Sequence, residues 1–218
     1  MATKKSSSRS DDVKTPLVRT AFAQNLFEAR EDKWGNKSYQ VTLLIPKTAD
    51  KSALDNAAFQ AAEAQWPGKA AQWIKDGVIK SPFLDGDGKQ GKYLNEAGDL
   101  VPKPGFAGHW FIRCKSGEDY KPKVFDKKRN PVMEKSGCTS GSTGYGVVNA
   151  FTWENDEQGK GLTFGISMFQ VVSLAEGEDI LGGSGGGADP DKFFEKIADE
   201  GDAPDATKTG EGAGGLFA

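Results

Sequence analysis

The sequence has few of the residues on which metal sites, disulfide frameworks and imidazole catalysis depend. Its 218 residues include two cysteines, Cys114 and Cys138, and one histidine, His109. Two cysteines are too few for a disulfide framework, and with His109 their spacing matches no standard zinc motif. A single histidine also excludes most acid–base pairs built on imidazole. We therefore expect two reduced thiols, no bound metal and no cofactor.

Motifs of other catalytic and ligand-binding sites are incomplete. The glycine-rich stretch 137–146 lacks the Gly-Lys-Ser/Thr ending of a phosphate-binding loop. Asp85-Gly86-Asp87-Gly88 begins like a calcium loop, but no carboxylate follows at the position of the bidentate glutamate. The carboxylates form no cluster suited to two metal ions. These absences predict that the protein is not an enzyme.

Long hydrophobic runs are absent as well. No apolar segment is long enough to cross a bilayer, and residues 1–9 lack the apolar stretch of a secretory signal. We therefore expect a cytoplasmic protein.

Charge is abundant but unevenly distributed. Residues 175–218 contain 11 Asp and Glu against 3 Lys, a net charge of −8, whereas residues 1–174 are net +5. A basic body with an acidic tail suits a protein that binds and releases a polyanion, because the tail competes for the same surface. The acidic segment is rich in glycine and ends in the apolar pair Leu216-Phe217.

Composition divides the chain into three regions. We predict a disordered Ser- and Lys-rich N-terminus over residues 1–14 and one folded domain over residues 15–174. Residues 175–218 are predicted to be a disordered Gly-rich acidic tail, with a short helix over residues 189–198 that Asp189 and Pro190 begin.

The folded region has the patterns of a small β protein with one main helix. Residues 38–45 and 162–174 alternate in hydrophobicity, and residues 50–66 follow a helical period that Pro67-Gly68 ends. Small residues alternating with large ones suit a tightly curved barrel, so we predict five strands around a shared interior. The residues assigned to this interior are Tyr39, Val41, Leu43, Ile45, Trp110, Phe151, Leu162, Phe164, Ile166, Met168 and Phe169.

The sharpest local signal lies between Tyr120 and Arg129. In an extended strand, Lys121, Lys123, Phe125 and Lys127 share one face, and Lys128 and Arg129 follow in a turn. Lysines that flank an aromatic ring are typical of a groove for single-stranded nucleic acid, in which cations meet phosphates and the ring stacks on a base. Phe111 and Arg113 on a neighbouring strand extend this face. An ordinary solvated strand face is the alternative interpretation.

Two further segments are candidates for the same surface. Lys33, Trp34 and Lys37 surround the tip of a predicted hairpin, where Trp34 either faces solvent or folds back over the end of the barrel. The long loop over residues 80–106 adds Tyr93 among several lysines.

In this layout the chain resembles the single-stranded DNA-binding proteins of tailed bacteriophages, which are OB-fold proteins with an acidic C-terminal tail. The resemblance implies sequence-non-specific binding of single-stranded DNA in phage DNA replication and recombination, in the host cytoplasm. It also implies contacts between the tail, through Phe217, and phage or host replication proteins such as a polymerase, helicase or nuclease. Two features differ: the predicted helix follows the second strand and not the third, and Ala218 follows the terminal aromatic residue.

Other functions are compatible with parts of this pattern. A phage structural or assembly module without nucleic-acid binding is the main alternative, and a metal-dependent nuclease is a third. RNA is not distinguished from DNA, because stacking platforms tolerate either sugar. The sequence does not determine the oligomeric state.

Overall fold

The computed structural model describes residues 7–175, which are mainly β-strand. The helices are α1 (Ser52–Gln65) and α2 (Ala70–Lys75), with 3-10 turns at Ala23–Leu26, Lys89–Gly91 and Lys135–Gly137. The strands are β1 (Val13–Lys14), β2 (Val18–Ala21), β3 (Arg30–Glu31), β4 (Lys37–Pro46), β5 (Ile79–Lys80), β6 (Leu84–Asp85), β7 (Lys92–Leu94), β8 (Leu100–Pro102), β9 (His109–Gly117), β10 (Lys123–Phe125), β11 (Thr143–Asn155) and β12 (Gly159–Ser173).

Five of these strands close into a ring. The pairs β2–β4, β4–β9, β12–β11 and β11–β2 are antiparallel, and the parallel pair β9–β12 completes the circuit. Closure pairs the ring strands on both sides, which removes the free edges of an open sheet. The prediction of a mainly β, five-stranded fold with one main helix is confirmed. The helix α1 lies between the second and third ring strands, at the place that the sequence indicates.

The ring interior is filled as the alternation of β4 predicts. Val41, Leu43 and Ile45 are buried together with Ile112 and Cys114 of β9, which pairs with β4 along its whole length. Leu44 and Phe111, on the opposite face of the same two strands, belong to a smaller apolar group, which we call the outer cluster. Its members are Ala21, Leu44, Phe106 and Phe111, with Leu84 packed against them.

A β-bulge changes which residues of β12 face the interior. Val147 pairs with Met168 but Val148 pairs with Ile166, so Ser167 is an extra residue in β12. One inserted residue exchanges the two faces of a strand beyond it. Phe169 is therefore fully buried, whereas Met168, which we expected in the interior, is 36% exposed.

On β11 the small residues of the alternating pattern face inward. Gly146, Val148, Ala150 and Thr152 are buried, and Phe151 lies half-buried on the outside. The assignment of Phe151 to the core was wrong, because the alternation of β11 turns its neighbours Ala150 and Thr152 inward and leaves Phe151 on the other face.

The structure differs from the predicted disorder of residues 1–14. Residues 7–14, which we call the N-terminal strap, run antiparallel to β11. The Ser10 amide donates to the Ala150 carbonyl at 2.8 Å, and the Thr152 amide donates to the Ser8 carbonyl at 3.0 Å. The predicted tail helix over residues 189–198, the tail disorder and Phe217 lie outside the described residues.

Candidate nucleic-acid interface

An open groove of about 760 Å³ crosses the outside of the ring. We call it the basic groove. Its walls are the end of β9 and the following turn, the middle of β11 and β12, and the N-terminal strap. Arg9, Lys115 and Lys121 line it against a single carboxylate, that of Asp119. The groove therefore has a net positive charge that favours an anionic ligand.

Two aromatic side chains lie among these cations. Tyr120 is 75% exposed, and Phe151 is half-buried on the outer face of β11. Exposed rings beside cations provide both stacking surfaces and phosphate contacts.

The alternating side chains of β9 place two positive charges on the outside of the ring. Ile112 and Cys114 point into the ring, so that Arg113 and Lys115 are exposed on its outside. Lys103 lies near Arg113: burial lowers the pKa of Lys103, and the positive charge of Arg113 lowers it further. The positive surface therefore continues along β9 from the basic groove.

A second groove, of about 430 Å³, adjoins β10, and we call it the β10 groove. It is lined by Lys121, Lys123 and Phe125, three residues that the sequence predicted to share a face, and by apolar residues including Val132 and Met133. Lys121 lines both grooves. The strand is shorter than predicted, since regular pairing covers only Lys123–Phe125.

The turn after β10 presents the exposed cations Lys127, Lys128 and Arg129. Asp126 holds this turn by accepting hydrogen bonds from the amides of Lys128 and Asn130, each at 2.8 Å. The hydrogen bonds from the Asn130 side chain and amide lower the pKa of Asp126. The carboxylate is thus occupied in holding the turn.

The predicted hairpin tip, which joins β3 to β4, projects into solvent. Trp34 is 71% exposed, and the Lys33 Nζ lies 4.3 Å from the centre of its ring. Asp32 accepts hydrogen bonds from the amides of Trp34 and Asn36, both at 2.9 Å. The hydrogen bond from the Asn36 amide is the main cause that lowers the pKa of Asp32, and the charge of Lys115 contributes.

Lys37 connects this hairpin to the basic groove. Its Nζ lies 3.9 Å from a carboxylate oxygen of Glu118, in the turn that carries Tyr120. Ser38, the next residue, pairs with Gly117 and lines the basic groove.

Of the twelve predicted residues, only Lys121, Lys123 and Phe125 line either groove, and Phe111 and Tyr93 are among those that do not. Phe111 is 1% exposed in the outer cluster, where its ring meets Phe106 edge-on at 5.0 Å between centroids. A base cannot stack on a ring that is covered in this way, so we correct the prediction for Phe111. Tyr93 is exposed on the separate β7–β8 hairpin and lines neither groove.

The two thiols are buried and offer no reactive site. Burial raises the pKa of Cys138 to about 12 and raises the pKa of Cys114 as well. Within residues 7–175, no group of three or more His, Cys, Asp and Glu side chains is arranged to hold a metal ion. The same part of the chain contains no helix that is long and apolar enough to span a membrane.

A sequence-family model described as "Enterobacter phage Enc34, ssDNA-binding protein" matches residues 11–204. The chain belongs to this family. Membership confirms the resemblance to phage single-stranded DNA-binding proteins, and it confirms the expectation of a binding protein that is not an enzyme. A search of curated protein sequences gave no match.

Two solved structures of phage proteins share the fold of this member of the Enc34 family. The single-stranded DNA-binding protein of bacteriophage Enc34, solved in complex with ssDNA, has 16% identity and a TM-score of 0.50. That match covers 77% of this chain and 88% of the Enc34 chain. The single-stranded DNA-binding protein gp2.5 of bacteriophage T7 has 14% identity and a TM-score of 0.51, and the match covers 87% of this chain and 100% of gp2.5.

Sequence reasoning missed four cationic or aromatic residues that line the basic groove in this family member, namely Arg9, Lys115, Tyr120 and Phe151. Lys115 follows Arg113 at the two-residue period of a strand, so the alternation of β9 contained the signal that places it on the outside. Tyr120 was noted only as the start of a basic segment, and Phe151 was assigned to the core. Arg9 had no local signal, because its position depends on pairing with a strand about 140 residues away.

Proposed function

We propose that this protein binds single-stranded DNA without sequence specificity, along the basic groove and the β10 groove. The observation that carries the proposal is the convergence of Arg9, Lys115 and Lys121 with the exposed ring of Tyr120 and the half-buried ring of Phe151 in one open groove. These residues come from the N-terminal strap, β9, β11 and the turn after β9. Their convergence from separate parts of the chain supports a built binding surface.

Each type of side chain has a distinct role in this proposal. Lysine and arginine contact phosphates and release condensed counterions, which makes affinity fall as salt rises. Aromatic rings stack on bases at about 1–3 kcal/mol per base, and they tolerate every base because each has a π face. Binding by phosphate contacts and stacking discriminates little between sequences.

The finer biological role rests on the chain's charge distribution and family. We propose that the protein acts in phage DNA replication and recombination in the host cytoplasm. Residues 175–218, with their net charge of −8, compete with DNA for the basic body and recruit phage or host replication proteins through Phe217. This part of the proposal comes from sequence, since these residues after Ala175 lie outside the described structure.

A titration of fluorescent oligo-dT of several lengths, at two salt concentrations, tests the binding activity. We expect length-dependent and salt-sensitive binding with no cleavage of the oligonucleotide. Oligo-rU of matched length and a DNA duplex serve as comparison ligands, since the grooves are proposed to take unpaired bases. Absence of binding at low salt would favour the structural or assembly module, and cleavage would favour a nuclease.

A further inference from the structure

We propose that Arg9 is a phosphate-binding residue of the basic groove, so that the N-terminal strap forms part of the DNA site. This inference rests on the proposed single-stranded DNA binding. It adds Arg9 and the N-terminal strap to the proposed DNA site, although composition had assigned this segment to a disordered terminus.

The strap is held against β11 by a ladder of backbone and side-chain hydrogen bonds. The Ser8 amide donates to the Thr152 Oγ1 at 2.9 Å, and the Ala150 amide donates to the Ser10 Oγ at 2.9 Å. Between these contacts, Arg9 forms a β-bridge with Phe151. The backbone of Arg9 is therefore fixed beside the aromatic ring that lines the groove.

The guanidinium of Arg9 is oriented by one neutral partner. Its Nε donates to the Asn149 Oδ1 at 2.8 Å, and the Asn149 Nδ2 donates to the Asp12 Oδ1 at 2.7 Å. Asn149 is 2% exposed and lies over Gly165, where a Cβ would come within 2.8 Å of its Oδ1. The site therefore combines a buried amide with a glycine that makes room for it.

The remaining donors of Arg9 are available to a ligand. A guanidinium has five N–H donors, and the contact to Asn149 uses only the one on Nε. Arg9 is exposed, and within residues 7–175 no carboxylate forms an ion pair with it. A planar fork of this kind matches the oxygens of a phosphate, and Lys115 and Lys121 of the same groove add to the attraction.

Oligo-dT titration of the full chain separates this role from a general charge effect. We expect Arg9→Ala to weaken binding about ten-fold, as loss of a charge-assisted hydrogen bond would, and to shallow the log–log salt slope by about 0.7. Lys75→Ala is the control, because it removes one positive charge from the exposed end of α2, outside both grooves. Lys75→Ala is expected to bind like the wild type, apart from a small long-range charge effect.

The outcomes distinguish this inference from the proposed function. If the wild type binds no oligo-dT, the proposed function fails. If the wild type binds and Arg9→Ala behaves like Lys75→Ala, only the assignment of Arg9 is overturned.

A thiol-protection experiment tests proximity to DNA by a measurement that does not depend on the change in affinity. Cys114 and Cys138 are buried, so Arg9→Cys introduces the one accessible thiol of the described residues. Saturating oligo-dT is expected to slow maleimide labelling of Arg9→Cys at least five-fold and to leave labelling of Lys75→Cys unchanged. Equal labelling rates of Arg9→Cys with and without bound oligo-dT would place the strap outside the DNA site.

Discussion

At the scale of single residues, Lys121 and Phe125 test the two kinds of contact separately. Lys121 lines both grooves, and Phe125 provides the ring of the β10 groove. We predict that Lys121→Ala shallows the log–log salt slope by about 0.7, because one fewer phosphate is neutralised. Phe125→Ala is predicted to cost about 1–3 kcal/mol of binding with little change in slope, because stacking releases no counterions. Oligo-dT titrations over a salt series measure both quantities.

The hairpin tip provides the comparison for these two variants. If Lys121→Ala and Phe125→Ala both bind like the wild type, DNA does not follow the β10 groove. Trp34→Ala would then be the next variant to titrate, since Trp34 is highly exposed and lies between Lys33 and Lys37.

Phe111 differs from these residues because it is buried in the outer cluster. Phe111→Ala is predicted to lower the free energy of unfolding by about 3–5 kcal/mol, the cost of an aromatic side chain removed from a core. Urea unfolding measures this loss, and Phe59→Ala is the control because Phe59 is 44% exposed on α1. A stable Phe111→Ala variant with weakened DNA binding would instead support the role that the sequence suggested.

At the scale of elements, the long hairpin of β11 and β12 depends on a close approach at Gly144. A Cβ at this position would lie 2.1 Å from the Gln170 carbonyl oxygen and 2.7 Å from the buried Phe169 ring. Neither group moves easily, because one is backbone and the other fills the ring interior. The first irregularity of the β11–β12 register occurs at this residue.

We predict that Gly144→Ala lowers the free energy of unfolding by about 1–3 kcal/mol, the typical cost of overpacking a core. Thermal and urea unfolding measure the effect. Gly117→Ala is the matched control, since its Cβ would meet the Tyr120 Cδ2 at an ordinary 3.6 Å. Equal stability of the two variants would show that the hairpin shifts to admit a methyl group at little cost.

At the scale of the whole molecule, the opposed charges of the body and the acidic region predict competition. A tethered segment competes at an effective concentration of about a millimolar when its tether reaches the site. We predict that truncation after Leu174 tightens oligo-dT binding, most clearly at low salt, where the competition is least screened. The truncated chain is also expected to lose recruitment of a replication partner, which a pull-down with that partner measures.

High salt provides the control within the same titration, because screening there reduces the difference between the two chains. A truncated chain that binds no better than the full chain at every salt concentration would contradict competition. Residues 175–218 would then be left with partner recruitment alone.

Sequence reasoning succeeded where the physical signal is local. The two-residue alternation of β4 identified Val41, Leu43 and Ile45 as interior, because successive side chains of a strand point to opposite faces. Proline and glycine at positions 67 and 68 marked the end of α1, which the structure places at Gln65. Lys121, Lys123 and Phe125 are less buried than Pro122 and Val124 for the same local reason, since successive side chains alternate along an extended segment.

Sequence reasoning failed where position depends on contacts between distant segments. The extra residue Ser167 in β12 turned Met168 away from the interior, and no local pattern marks a bulge that forms only against β11. Phe111 has the alternation of an exposed aromatic residue, yet Phe106 from the long loop covers it.

The amino-acid order alone determined three properties: the charge difference between body and tail, the strand-rich character and the single main helix. Each of them depends on residues that are close together in the sequence. The basic groove could not be derived from the amino-acid order alone. It exists because ring closure brings β9, β11 and β12 together and the N-terminal strap then pairs with β11, which sets Arg9 beside Phe151. Pairing between segments that are far apart in the sequence depends on the complete set of strand contacts. The groove therefore became visible only in the folded molecule.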